Sequence, residues 1–423
     1  MASLRSGGAI AIFSSVMAML GGCASTYAPN ELPPPRDFSV DDMAVGGTGG
    51  NGGDDLQAPA DLADAPDLAD APDLAAARDL APACLDDGAG DGGVAAALWM
   101  VAPASGSLFA ARLRGGVWTT LPATATTTAI DDVALASVGG RPLVAARLHD
   151  NTLAAARPDA CHGGFAPLAA IATAAATATR PALAGGGAGD VVFRGAVNGD
   201  QRYYWARFDG AAWGAIATEG NFLSALAPSA VRAGGALHVV FTGSDGNLWD
   251  GVPQATGGGA STQLTGNTSA LAPAAAVAPG GAVHVVYAGT NQHLYWLVTS
   301  APSAVHDLCD GQAAGCFIVT DAAPALAFGS DGNAVAVWHG TDGKLYASRL
   351  AGTQWGAAAA ISGTDTTTLA PAIAAGAGDI ADVVYVRSDG TPRHAALTAA
   401  GWQAPVTVAA VALTGAPAIA ATP

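Results

Sequence analysis

Residues 237–252 read LHVVFTGSDGNLWDGV: an apolar run, a Ser-Asp-Gly turn, then a second apolar run. Residues 283–298 (VHVVYAGTNQHLYWLV) and 335–350 (VAVWHGTDGKLYASRL) repeat it. Period-two alternation sends neighbouring side chains to opposite faces of a pleated strand, and Asp-Gly supplies the positive φ of a tight hairpin. Each copy therefore encodes two antiparallel strands. Upstream of the copies stand further apolar strands opened by proline, at Pro181, Pro228, Pro273, Pro324, Pro371 and Pro417, with Val133 in the same place before Ala134-Leu135-Ala136. That makes seven first strands, recurring about every 47 residues.

Second strands begin near Leu98, Leu143, Asp190, Leu237, Val283, Ala334 and Ala381, again seven. The one at Leu98 has no first strand before it, and the strand at Pro417 has no second strand after it. A closed ring accounts for both, because the strand around Ala416-Pro417-Ala418-Ile419 can complete the N-terminal sheet and leave no open edge. A fourth strand is marked by tryptophan nine residues after a third-strand position, in the pairs Phe109 and Trp118, Tyr204 and Trp213, Tyr346 and Trp355, and Arg393 and Trp402. Repeats of roughly 40 to 50 residues built only of short strands predict an all-β fold, a seven-bladed β-propeller over residues 94–423 latched by its C-terminal strand.

The 423 residues include 56 Gly and 25 Pro and only 12% charged residues, as turn-rich β structure requires. Net charge is -17, and most of it lies outside the ring: residues 24–93 hold 15 acids against Arg36 and Arg78. With no basic stripe to neutralise phosphates, the sequence argues against a nucleic-acid partner. Residues 1–22 read as a leader, with Arg5, an apolar stretch over 8–20, and Leu20-Gly21-Gly22 before Cys23. This tetrapeptide resembles the bacterial lipobox, which implies a lipoprotein signal peptide cleaved before Cys23 and a lipid on that cysteine. Ala24 in the next position implies the outer membrane. The resulting expectation is a lipid-anchored protein of the bacterial cell envelope whose only membrane contact is the lipid. Residues 23–93 read as a low-complexity linker. Asp55, Asp61, Asp67, Asp73 and Asp79 recur every six residues, each before Leu, among Pro59, Pro66, Pro72 and Pro82, a composition that makes a semi-rigid spacer. Calcium on those carboxylates is the sharper reading, but the Gly-rich framework of calcium solenoids is missing.

Beyond Cys23, four cysteines remain, an even number suited to an oxidising compartment. Cys309 and Cys316 flank a short loop and are expected to pair locally, which leaves Cys84 and Cys161 for a longer link. No Cys-x-x-Cys or His-rich spacing supports a metal, and no cofactor is expected. Nor does a catalytic set assemble: the ring's only glutamate is Glu219 and its only lysine Lys344.

An aromatic on the second strand, Asp-Gly, an aromatic on the third strand, then Gly and Trp recur in residues 193–213, 338–355 and 385–402. This string resembles the propeller lectins, meaning the fucose-binding lectins of fungi and bacteria and their tectonin-like relatives. The resemblance implies a sugar held by an arginine on the second strand, a glutamate on the third and a stacking aromatic. The matching positions hold His238, His284, Asp190 and Asp382 for the arginine, and Asp250, Trp296 and His394 for the glutamate. No blade keeps the Arg/Glu pair, although His238 with Asp250 and Asp382 with His394 are expected to form polar pairs. Independently of the resemblance, aromatic faces stack on sugar C–H surfaces while guanidinium and amide groups bond hydroxyls. The candidates for these roles are Trp118, Trp213, Trp355 and Trp402 with Arg112, Arg207 and Arg349, each arginine three residues after its third-strand aromatic. The Thr/Ser/Asn-rich connections at 265–269 and 362–368 offer a second possible site. Expected functions are a surface-anchored, non-catalytic carbohydrate binder, a scaffold presenting its ring face to a protein partner, or, third, a glycan-active hydrolase.

Overall fold

Proline at the head of six of the seven first strands and tight turns between the next two, Asp-Gly at 245–246, 342–343 and 389–390, organise seven antiparallel sheets. The computed structural model describes residues 96–423 except 160–162, 174, 198, 255–256 and 310–318. The leader, the linker, Cys23, Cys84, Cys161 and Cys316 lie outside the described residues. Among the described residues there is no helix.

Blade 1 is ordered from the axis outward as Ala418–Thr422, Ala97–Ala104, Ser107–Arg114 and Val117–Thr120. Its innermost strand is the last strand of the chain, in register as Ala97↔Thr422 and Met100↔Ile419. The expected latch is therefore present. Blades 2 to 7 open with the inner strands Ile130–Val138, Ala182–Ala184, Ser229–Ala233, Ala274–Val277, Ala325–Phe328 and Ala372–Ala375. These touch in sequence order and return to Ala418–Thr422, so the ring closes. Second strands start at Ala97, Arg141, Gly189, Ala236, Val283, Ala334 and Ala381, within two residues of the positions read from the sequence.

Period-two alternation decides which blade a side chain meets. Phe193, Phe241, Tyr287, Trp338 and Tyr385 occupy one position of the second strand and point at the preceding blade. None is more than 2% exposed. Burying a Phe-sized side chain contributes about 1.5–3 kcal/mol, so this one position anchors five of the seven interfaces. The residues one step before each, such as Val240 and Val286, face the following blade.

The Asp-Gly turns are built as the sequence implies. In blade 6, Asp342 Oδ1 accepts the Lys344 N–H at 3.1 Å, Oδ2 accepts the Tyr346 hydroxyl at 2.8 Å, and Gly343 has φ of 82°. Gly340 packs beneath this clamp, where a Cβ would lie 2.7 Å from the Tyr346 ring. Asp200 with Tyr204 (2.7 Å), Asp245 with Trp249 (3.2 Å) and Asn291 with Tyr295 (2.8 Å) make the same closure. These third-strand aromatics are turn locks.

The tryptophan marking the fourth strand behaves differently from blade to blade. Trp118, Trp355 and Trp402 lie in outer strands. Trp213 instead makes an isolated bridge to Phe208, and the outer strand of blade 3 follows it at Ala217–Leu223. Cys309 is disulfide-bonded, but Cys316 falls outside the described residues and the expected pairing with it.

Candidate functional site: the clefts between blades

The sequence places Arg112, Arg207 and Arg349 at one third-strand position and a tryptophan just beyond, which suggests one site per blade. Strand register separates them. Trp118 pairs with Leu113, Trp213 with Phe208, Trp355 with Leu350 and Trp402 with Leu397, in each case the residue after the arginine position. Neighbouring residues point to opposite faces, so each arginine faces the following blade and each tryptophan the preceding one. The clefts between blades, rather than the blades, are the units to compare.

In the cleft between blades 7 and 1, His394 Nε2 meets Asp382 Oδ1 at 2.7 Å, both side chains buried. The Trp118 ring stands edge-on to His394 at 5.3 Å and 74°, and its indole N–H finds no acceptor among the described residues. Between blades 6 and 7, Arg349 is ion-paired to Asp331, and the half-buried Trp402 packs on the cluster holding Ala347. Between blades 2 and 3, the Arg157 guanidinium lies 4.6 Å over Phe208, and Trp213 lies 5.1 Å beyond that ring. The first of these clefts joins a tryptophan to an imidazole of the blade before, and in the third a guanidinium reaches a tryptophan through Phe208.

Between blades 4 and 5, His238 Nδ1 lies 2.9 Å from Asp250 Oδ2, and this hydrogen bond raises the His238 pKa. Both polar pairs expected from the sequence therefore form. Between blades 5 and 6, Trp296 stacks between His284 (6.0 Å, 7°) and His306 (5.2 Å, 27°). Burial lowers the His284 pKa, so the neutral imidazole is favoured in that stack. Trp355 closes the stack edge-on to Trp296 and is only 5% exposed, so it serves as packing rather than as an open platform. Between blades 1 and 2, Arg112 lies 5.4 Å over Trp99. Between blades 3 and 4, buried Asp190 accepts from Arg207 Nε at 3.3 Å and from Arg232 Nε at 2.6 Å. The protein's own arginines thus occupy Asp190.

Other expected groups are internal fasteners. Glu219, 1% exposed, accepts the Trp205 indole N–H at 3.2 Å and the Gly259 N–H at 2.7 Å, tying blade 3 to a loop of blade 4. In the hydroxyl-rich connections, Ser269 Oγ donates to the Leu271 carbonyl, Thr367 Oγ1 to the Leu369 carbonyl and Ser362 Oγ to the Asp365 carbonyl, while Thr268 and Thr366 bond Thr290 and Ser388 of the next repeat. At the second possible site, 265–269 and 362–368, the buried hydroxyls shape the turns and Thr268 and Thr366 remain at the exposed surface. Sequence reasoning missed Arg157 and Arg232, whose partners lie in other repeats. Among the described residues, no group of three His, Cys, Asp or Glu side chains is placed to hold a metal.

No family model matches the chain, and no curated protein matches it. Among solved structures, the ring is similar to the SapL1 lectin in complex with alpha methyl fucoside, at 18% identity over 67% of this chain and 95% of that one, with a TM-score of 0.45. It is similar to AofleA from Arthrobotrys oligospora at 13% identity over 70% of this chain and 93% of that one, with a TM-score of 0.46. A puromycin hydrolase S511A mutant complexed with PGG matches at 17% identity over 75% of this chain and 52% of that one, with a TM-score of 0.47. At these scores the likeness assigns no residue of this chain a role.

Proposed function

We propose that the ring is a carbohydrate-binding module that takes sugar in the clefts between blades and is displayed from the bacterial outer membrane by a lipid on Cys23. The observation that supports this reading is that every outer-edge tryptophan faces the cleft to the preceding blade, where Trp118 meets His394 directly and Trp213 meets Arg157 through Phe208. An indole face covers the C–H surface of a pyranose, and the charged neighbour bonds its hydroxyls. Shallow sites repeated around a ring bind weakly one at a time and tightly together on a dense surface.

The test is retention of the purified chain on glycan-coated surfaces. Trp118→Ala combined with Trp402→Ala is expected to lower retention on the order of tenfold or more, because two linked sites are lost together. The melting temperature should stay within a few degrees of the parent. Unchanged retention in the folded double variant would remove these clefts as sites. Capture of one protein with no glycan retained would favour the scaffold.

The anchor is tested separately. Cys23→Ser is expected to abolish acyl labelling and leave the leader uncleaved. Labelling that persists in that variant would overturn the lipid assignment.

A further inference from the structure

The tunnel along the ring axis, a cavity of about 260 Å³, is walled by the heads of the inner strands. Ala227, Ala272, Ala323, Ala370 and Ala416 each stand just before the strand-opening proline, whereas blade 3 has Arg180 before Pro181. Arg180 Nε donates to the Val133 carbonyl at 2.8 Å and Nη2 to the Pro417 carbonyl at 2.8 Å. A guanidinium carries five N–H groups, and Nη1 has no acceptor among the described residues.

Among the described residues no carboxylate pairs with Arg180. Asp132, whose charge it feels, is bound by Arg147 through Nε at 2.8 Å and Nη2 at 2.6 Å. Burial lowers the Arg180 pKa, while part of the side chain stays exposed to the tunnel. Among the described residues its bonds go to two neutral carbonyls, so a counter-ion at the tunnel mouth would add the charge pairing that they lack.

We propose that the mouth of the axial tunnel is a binding site for a small organic carboxylate, anchored by Arg180. The planar guanidinium suits a carboxylate fork, and one positive charge matches one negative charge. Walls of alanine, proline and leucine, such as Leu183 and Leu326, suit an apolar body behind that carboxylate. Phosphate, with more charge to neutralise, finds no second cation among the lining residues. The site is separate from the blade clefts and independent of whether those hold sugar.

The experiment titrates the purified chain with benzoate, its neutral counterpart benzamide and inorganic phosphate, reading calorimetric affinity and melting temperature. Benzoate is expected to bind one to one and raise the melting temperature, while benzamide and phosphate do not. Arg180→Gln should weaken benzoate by at least about tenfold, since the charge-assisted bonds are lost. Because Arg180 also bonds the closing segment, a second variant that leaves it in place separates binding from folding. Ala272→Leu narrows the tunnel without altering Arg180, and the same loss of benzoate binding is expected there. Equal binding of benzoate and benzamide, competition by phosphate at equal concentration, benzoate affinity unchanged in the folded variants, or no benzoate binding to the parent chain would each overturn the proposal.

Discussion

A chain truncated after residue 415 is expected to lose the cooperative fold of the ring. The deletion removes Ala418–Thr422, which pairs along its length with the second strand of blade 1 and belongs to the cores on both sides. Ala418 and Ala420 pack between blades 1 and 2, and Ile419 packs between blades 7 and 1. Burial of the isoleucine alone is worth about 1.5–3 kcal/mol, and each backbone hydrogen bond about 1 kcal/mol. Trp99 also loses the Thr422 hydroxyl that accepts its indole N–H at 3.1 Å, and Arg180 loses the Pro417 carbonyl. The sum is a large share of the roughly 5–15 kcal/mol that holds an ordinary domain together. Thermal melting followed by circular dichroism should show the transition greatly lowered or abolished. A truncated chain melting within about 2 °C of the parent would mean that the strand is not the closure, because a loss of several kcal/mol must move the midpoint further than that.

The elements legible from sequence were those whose determinants are local. Prolines mark the heads of six inner strands, and short polar turns, three of them Asp-Gly, join second to third strands, so the sequence itself delimits seven blades and the closing strand. The same Asp-Gly hairpin places His238 opposite Asp250 and Asp382 opposite His394, since both pairs are twelve residues apart across a turn of one length. The outer strand was less legible. Its register depends on the turn after the third strand, and a one-residue difference there sends tryptophan to the opposite face from arginine. Contacts between repeats were not legible at all. Nothing near Asp190 announces Arg232, and nothing near Trp355 announces that Trp296 of the preceding blade will cover it. Arg180 stands where five other inner-strand prolines follow alanine, and only the closed ring shows that it reaches carbonyls of blades 2 and 1.

Asp190→Ala is expected to cost about 3–5 kcal/mol, the loss typical of removing one partner from a buried ion pair. Asp190 has no exposed surface, and it joins Arg207 of its own blade to Arg232 of the inner strand of blade 4. Alanine leaves Arg232, only 17% exposed, without its counter-ion, although it keeps the Gly235 carbonyl at 2.7 Å. The two arginines should not be equivalent. Arg207 is 49% exposed, so water can replace its bond, and Arg207→Ala should cost about 0–1 kcal/mol. Arg232→Ala strips a buried carboxylate of its closest partner and should fall nearer the aspartate variant. A combined Asp190→Leu and Arg232→Met change should recover much of the loss, because it removes both buried charges together rather than orphaning one. Urea melts of the four variants measure the order. An Asp190→Ala chain within about 1 kcal/mol of the parent, or an Arg207→Ala chain as unstable as Arg232→Ala, would show that the buried network does not fasten blade 3 to blade 4. The expected order would also explain why this cleft offers a sugar little: the aspartate is already held by two arginines of the ring, and a ligand hydroxyl would have to displace a charge-assisted bond to reach it.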